Sequence, residues 1–336
     1  MTGCDSTSYT WTAAGWVQIG EGKAPNGPLL VADSWRSSDG RVAAFGAHRR
    51  RFEESVANVL AADPLTNGVS GAARPAGAQP AGVQPDAERF DTKWTAFWHG
   101  VAATVQRAHR DSGNPELFPR VSLRSHGPNA NTKGSNIREI SGTPVDSGED
   151  AAPSSAITHH PDILSLVLEV RPAPPIRPVT RLLYTPIPDP RHSPRIKRPD
   201  LARLSKAREQ AVAQGFDDLL LCAHDGTILE TCTGNLMWWD GGTAVFPQRQ
   251  DQLLPGVTAE QVRLRLEETS TPLRFADISL PELAGRAVWF LNSLHGISPV
   301  VTLSDRGKNV PLARHPHEDE WREWWLATQG GGCEAS

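Results

Sequence analysis

The sequence of 336 residues is poor in methionine and tyrosine, with two of each, and has four cysteines. Cys4, Cys222, Cys232 and Cys333 form no Cys-x-x-Cys pair, so zinc-ribbon and thioredoxin-like chemistry lack their ligands and no metal site is expected. Four cysteines in a chain of this size do not make a disulfide scaffold. No run of roughly 18 apolar residues occurs, so no membrane span is expected. The opening MTGCDSTSYTWTAAGW lacks a basic stretch and a long apolar run, so it does not read as a secretory signal. Charge of one sign is also missing. The net charge is -4, and the basic residues are scattered apart from one local cluster, so no nucleic-acid partner is expected. A soluble, cytoplasmic protein is the expectation. Eleven tryptophans are unusual but point to no function.

What is present is a chain long enough for two domains, with 38% hydrophobic residues to build their cores. In GPLLVADSWRSSDGRVAAFGAHRRRFEESVANVLA, two β-rich runs flank Ser-Asp-Gly and predict a hairpin. A helix follows from about His48, with Phe52, Val56 and Leu60 on one face. Residues 65–88, rich in Ala, Gly and Pro, read as a mobile insertion. TKWTAFWHGVAATVQRAHRDSG is helical and stops at Gly113. PRVSLRS is a short strand. Residues 126–162 carry almost no apolar period and read as a disordered loop. ILSLVLEVRP reads as a strand buried on both faces, and PAPPIRP then breaks the chain near residue 174. The expected division is therefore a small α/β domain over 1–172 and a larger domain over 175–336.

The second half is more regular. A helix is predicted from Leu201 to Gln214, with Asp200 as N-cap and Gly215 as its stop. DDLLLCAHDGTILETCTGNLMWWDGGTAVFP reads as three strands joined at two Asp-Gly turns. LLPGVTAEQVRLRLEE opens a helix, AVWFLNSLHGISPVVTL reads as strand, tight turn, strand, and EDEWREWWLATQ as a terminal helix.

Five features carry chemistry. Thr258 stands three residues before Gln261, the spacing of a capping box, and the free N–H groups of such a helix start bind anions, phosphate above all. An ordinary capped helix fits the same residues. Ser293 and Gly296 in NSLHGI form a turn that offers further phosphate donors, or a plain hairpin. Glu230 lies in an apolar strand, where a half-buried carboxylate needs a partner such as a protonated ring nitrogen. A surface-facing strand glutamate is the alternative. The arginines of HRRRFEESV are solvated, or one of them reaches a phosphate. Lys197 stands among Arg191, Arg195 and Arg198, and neighbouring positive charge with burial lowers a lysine pKa, as a Schiff-base lysine requires. A solvated basic loop also accounts for that cluster.

Taken in order, these pieces resemble the class IV aminotransferases, the fold-type IV pyridoxal-phosphate enzymes, over about residues 28–60 and 164–304. HRRRF is similar to the family's H-x-x-R pattern, which implies that Arg51 binds the cofactor phosphate. The lysine before the Gly215-terminated helix and DDLLL implies Lys197 as the Schiff-base residue. ETCTGNL implies Glu230 as partner of the pyridine nitrogen, followed by Asn235. LPGVT implies Val257 and Thr258 as phosphate ligands, and NSLHGISPV implies Ser293 as the last phosphate hydroxyl.

Within the family, NSLHGISPV and ETCTGNL look most like aminodeoxychorismate lyase. Asp200-Leu201-Ala202 replaces the Asn-Tyr that branched-chain enzymes carry after the lysine. GPLLVADSW stands where the family has a Gly-Asp-Gly-Val-Phe-Glu-Thr segment, and Asn and Arg after the lysine are missing. Arg124-Ser125-His126 is similar to the carboxylate clamp of D-amino acid transaminases, a chance match. The resemblance implies a two-domain α/β (α+β) fold like that of D-amino acid aminotransferase, pyridoxal 5'-phosphate as cofactor, a small amine substrate and a homodimer. The reactions it implies are conversion of 4-amino-4-deoxychorismate to 4-aminobenzoate and pyruvate, amino transfer, or cofactor binding by a degenerate member.

Overall fold

The computed structural model describes residues 6–20, 27–62, 87–125, 164–197 and 200–328. In chain order, the first half forms β1 (Thr7–Thr12), β2 (Gly15–Ile19), β3 (Leu29–Ser34), β4 (Ser37–Ser38), α1 (Phe45–Ala62), α2 (Ala87–Ser112), β5 (Glu116–Leu117), β6 (Arg120–Ser125) and β7 (Leu164–Val170). The second half forms β8 (Thr180–Pro188), α3 (Leu201–Ala213), β9 (Asp218–Cys222), β10 (Ile228–Thr231), β11 (Asn235–Asp240), β12 (Thr243–Pro247), α4 (Val257–Glu268), β13 (Leu273–Ala276), β14 (Ala287–Asn292), β15 (Gly296–Asp305), β16 (Lys308–Val310) and α5 (Glu318–Thr328).

The first sheet has the order β2-β1-β7-β6-β3, antiparallel throughout. Side chains alternate between its faces. Val121 and Leu123 of β6 join the core with Phe52 and Val56 of α1 and Phe97, Trp98 and Val101 of α2. Arg120, Ser122 and Arg124 fall on the other face of β6, where Arg120 stands opposite Ser34 of β3 and Glu169 of β7. That core is aromatic: the Phe52 and Trp98 rings meet edge to face at 5.7 Å. Rings this large each contribute roughly 1.5–3 kcal/mol on burial.

The second sheet runs β10-β9-β8-β15-β14-β11-β12-β13, with β16 added against β15. β8 pairs in parallel with both β9 and β15, and β12 with β13. α3 lays Leu204 and Ala211 on Leu219 and Leu221 of β9. It ends before Gly215, whose φ of +85° is the left-handed conformation that stops a helix. Leu291 and Ile297, on the two strands that flank the NSLHGI turn, belong to one apolar cluster with Trp289 and with Trp325 of α5.

Several expectations change. The hairpin around Ser-Asp-Gly is not formed by two full strands. β3 pairs with β6 instead, β4 pairs with β5, and only a bridge from Ser38 to Arg41 remains at the turn. The β1–β2 hairpin, within a segment that periodicity did not single out, adds an edge to the first sheet. β7 is less enclosed than its apolar run suggests, with Leu164, Ser165, Leu166 and Glu169 only half-buried. ETCTGNLMWW splits into β10 and β11, which brings the strands of that region to four. Asp200 makes no side-chain cap on α3; its carboxylate takes the backbone N–H of His192 (3.1 Å) and Ser193 (3.4 Å). Thr258 is not a cap either, because Gly256 holds that position and Thr258 lies inside α4. The insertion expected over 65–88 lies outside the described residues except at its last two positions, and the loop expected over 126–162 lies wholly outside them.

Candidate active site

Asp33, in the run LLVADSW, anchors the site. It is fully buried, and a buried carboxylate must be paired. Arg51 of α1 supplies a two-point fork, Nε to Oδ2 at 2.8 Å and Nη2 to Oδ1 at 2.7 Å. His48, one turn earlier on the same helix, contacts Oδ1 through Nδ1 at 2.9 Å, and the Ser34 N–H adds a fourth bond at 2.6 Å. Burial opposes the charge on Asp33, yet Arg51 and His48 hold its carboxyl well below the usual carboxylate range. Burial also lowers His48, which therefore stays neutral. Arg51 spends a third donor on the Pro255 carbonyl at 3.1 Å, which fixes it at the start of α4. A guanidinium has five N–H donors, so two remain for a ligand.

Lys197 lies between β8 and α3. Its carbonyl accepts the Ala32 N–H at 2.8 Å on the free edge of β3, and its Nζ donates to Ser34 Oγ at 2.8 Å. Burial lowers its pKa to about 8; Asp33 opposes the shift, and Arg51, Arg120 and Arg171 add to it. The cations that act on it thus differ from those adjacent in sequence. Arg191 points instead at Asp189 and Glu230, and Arg195 reaches the Gln250 carbonyl at 3.4 Å. Arg198 lies outside the described residues.

Glu230 is buried on β10. Oε1 pairs with Arg191 Nη1 at 2.5 Å and accepts the Leu254 N–H at 3.0 Å, while Oε2 accepts from Asn235 Nδ2 at 2.7 Å. Burial pushes its pKa up to about 7, against the pull of Arg191. Although burial opposes the charge on Arg191 as well, Glu230 and the two oxygens of Asp189 hold that guanidinium above its ordinary value. Asn235 also donates to the Leu254 carbonyl at 3.0 Å, so the Glu230 cluster is tied to the chain entering α4.

α4 begins at Val257 with no side-chain cap, which leaves its first N–H groups for a ligand. Thr258 is 1% exposed, and its Oγ1 is buried without a hydrogen-bond partner. A hydroxyl in that state is a donor awaiting an acceptor. At Gly256 a Cβ would overlap Asn235 Oδ1, so only glycine lets the chain pass that close. Ser293 sits half-buried in the β14–β15 turn, where Asn292 Oδ1 accepts the N–H groups of Leu294 (3.2 Å) and His295 (2.8 Å).

The structure therefore brings Arg51 to the α4 terminus that holds Val257 and Thr258, and links Lys197 to Arg51 through Ser34 and Asp33. It links Glu230 to the same terminus through Asn235 and Leu254. Ser293 is tied to the segment that follows Ser34, where its carbonyl accepts the Arg36 N–H at 3.0 Å. The uncapped helix start, the orphaned Thr258 hydroxyl and the spare Arg51 donors suit a phosphate. The neighbouring lysine and buried glutamate suit an aldehyde and a protonatable ring. The residues present fit pyridoxal phosphate.

Residues 142–303 match the family model described as amino-transferase class IV. Over that stretch the chain is similar to the class IV aminotransferases. No curated protein matches this chain. Among solved structures it is similar to the fold IV transaminase of Curtobacterium pusillum, at 21% identity and a TM-score of 0.65, covering 97% of this chain and 98% of that one. It is also similar to the branched-chain aminotransferase of Thermoproteus uzoniensis, solved with norvaline, at 16% identity and 0.65, covering 96% and 95%. A hypothetical aminotransferase of Mycobacterium tuberculosis in a PLP-bound form aligns at 17% identity and 0.62, covering 96% and 98%. These likenesses establish the fold, that of the fold-type IV aminotransferases.

Asp33, Ser34, Arg191 and Asn235 complete the candidate site, and sequence motifs gave Asn235 alone among them. A signal for Asp33 was available: a carboxylate inside an apolar strand, the same argument that singles out Glu230.

Proposed function

We propose that this chain is a pyridoxal-phosphate-dependent lyase that converts 4-amino-4-deoxychorismate to 4-aminobenzoate and pyruvate. The observation that carries the cofactor assignment is the meeting of Lys197, Arg51, Glu230 and the α4 terminus with its unpaired Thr258 hydroxyl. Arg51, Val257, Thr258 and Ser293 would hold the phosphate, and Glu230 would face the pyridine nitrogen. Bound there, pyridoxal phosphate supplies an electron sink.

Lys197 is the reacting amine. A pKa lowered to about 8 keeps a useful share of it neutral near neutral pH. Ser34 holds Nζ in place at 2.8 Å. The neutral amine removes the proton from the ring carbon that bears the substrate nitrogen. The ring C–O bond to the enolpyruvyl group then breaks, the released enolpyruvate takes up a proton to become pyruvate, and the ring becomes aromatic. Arg120 and Arg171 add positive charge towards Lys197, which favours a substrate rich in carboxylate over an apolar side chain. The NSLHGISPV and ETCTGNL segments favour the same reaction.

The second reading is amino transfer, favoured by the names of the three solved structures, a transaminase and two aminotransferases. Under either reading residues 1–172 form the small domain and 175–336 the larger cofactor-binding one, and the working unit is a cytoplasmic homodimer.

Purified, cofactor-loaded protein supplied with 4-amino-4-deoxychorismate and no keto acid tests the proposal. Multiple turnovers to fluorescent 4-aminobenzoate, lost in Lys197→Ala, are expected. Turnover that requires a keto acid would move the assignment to amino transfer.

A further inference from the structure

Arg36 is buried, with a side-chain exposure of 2%. It stands two residues beyond Ser34, where the chain leaves the lysine and passes the β14–β15 turn. Its backbone N–H donates to the Ser293 carbonyl at 3.0 Å, and its Nε donates to the Leu294 carbonyl at 2.8 Å. The guanidinium ends are held elsewhere. Nη1 pairs with Glu116 Oε2 at 2.5 Å, and Nη2 donates to the Pro174 carbonyl in the segment between the two sheets. Glu116 is steadied in turn by Ser38 Oγ at 3.0 Å.

Both carbonyls of the turn are thus drawn towards Arg36. A peptide unit is planar, so fixing the carbonyl of one residue fixes the direction of the next N–H. From the opposite side Asn292 Oδ1 takes the N–H groups of Leu294 and His295, and the Asn292 amide donates to the Thr233 carbonyl at 3.3 Å. Between these two sets of bonds the backbone that carries Ser293 is held, which fixes the position from which its side chain projects.

We propose that Arg36 is a positioning residue for phosphate recognition: it sets the Ser293–Leu294 turn so that Ser293 Oγ meets the cofactor phosphate. The proposal rests on the pyridoxal-phosphate reading of the site. Arg36 touches neither the cofactor nor the substrate. It acts through the turn, and Glu116 anchors it. Lysine keeps the charge but lacks the planar fork needed to hold Leu294, Glu116 and Pro174 at once.

The test compares pyridoxal phosphate with pyridoxal, which lacks only the phosphate. Both are titrated into cofactor-free wild-type protein, Arg36→Lys and Glu116→Gln, followed by visible absorbance, with circular dichroism to check the fold. The wild type is expected to prefer pyridoxal phosphate strongly. Arg36→Lys should weaken pyridoxal phosphate about tenfold or more, Glu116→Gln by less, and both should leave pyridoxal within about twofold. Equal losses for both aldehydes, or none in folded Arg36→Lys, would overturn the role of Arg36. A wild type that did not distinguish the two aldehydes would instead overturn the phosphate site, and the role of Arg36 with it.

Discussion

At the scale of single residues, the site depends on polar groups that the protein does not satisfy by itself. Thr258 Oγ1 is buried without a partner, so valine, of nearly the same shape, removes an unmet donor. Thr258→Val should melt at the same temperature as wild type or slightly higher without cofactor, yet bind pyridoxal phosphate about tenfold more weakly. Melting curves and absorbance titrations check the two halves of that statement. Lys197 gives a pH signature: only the neutral amine attacks an aldehyde. The rate of cofactor capture by the cofactor-free protein should rise with pH and level off above about 8, as stopped-flow absorbance would show. Glu230 gives another. Its folded carboxyl titrates at about 7 against an ordinary 4.5, so between those values the folded protein keeps a proton that the unfolded chain releases. Stability of the cofactor-free protein should therefore fall as pH rises from about 4.5 to about 7, by up to about 3 kcal/mol, and then stay level. Glu230→Gln should lack that decline in chemical denaturation across the same window. The placing of Lys197 before a helix, Glu230 on a strand and Thr258 near a helix start was legible, because each stands beside strong local punctuation. The partners of Ser34 and Arg191 were not, because they lie on other elements, and only the folded chain brings Ser34 to Lys197 or Arg191 to Glu230.

At the scale of elements, local patterns carried most of the second half and less of the first. β14, the turn, β15, α3, α4 and α5 follow from periodicity and turn residues close together in sequence. The first sheet does not, since β3 finds β6 across both helices and β7 lies between β1 and β6. A tight junction of elements lies at Gly296, which opens β15 with φ +71° and lies against α5. A Cβ there would overlap the Trp325 ring. Gly296→Ala combines a strained backbone with a displaced tryptophan and should cost about 2 kcal/mol or more, read as a lower denaturation midpoint. Trp325→Leu in the same chain should recover part of that loss, since it removes the ring that the new methyl meets.

At the scale of the whole molecule, the candidate ligands come from both halves of the chain: Arg51 and Ser34 from the first, Lys197, Glu230 and Thr258 from the second. A ligand that bridges them stabilises the folded state by mass action. Pyridoxal phosphate at about 100 times its dissociation constant should add about 2.7 kcal/mol, and Lys197→Ala should show a much smaller rise in melting temperature at the same concentration. The bond from the Ala32 N–H to the Lys197 carbonyl has a further consequence. β3 is an outer strand, and a bare outer strand is a template on which other chains can pair and aggregate. The lysine loop occupies part of that border. The segment that carries Lys197 thus also covers part of that edge, and loss of its bond to Ala32 would be read as increased self-association of the protein.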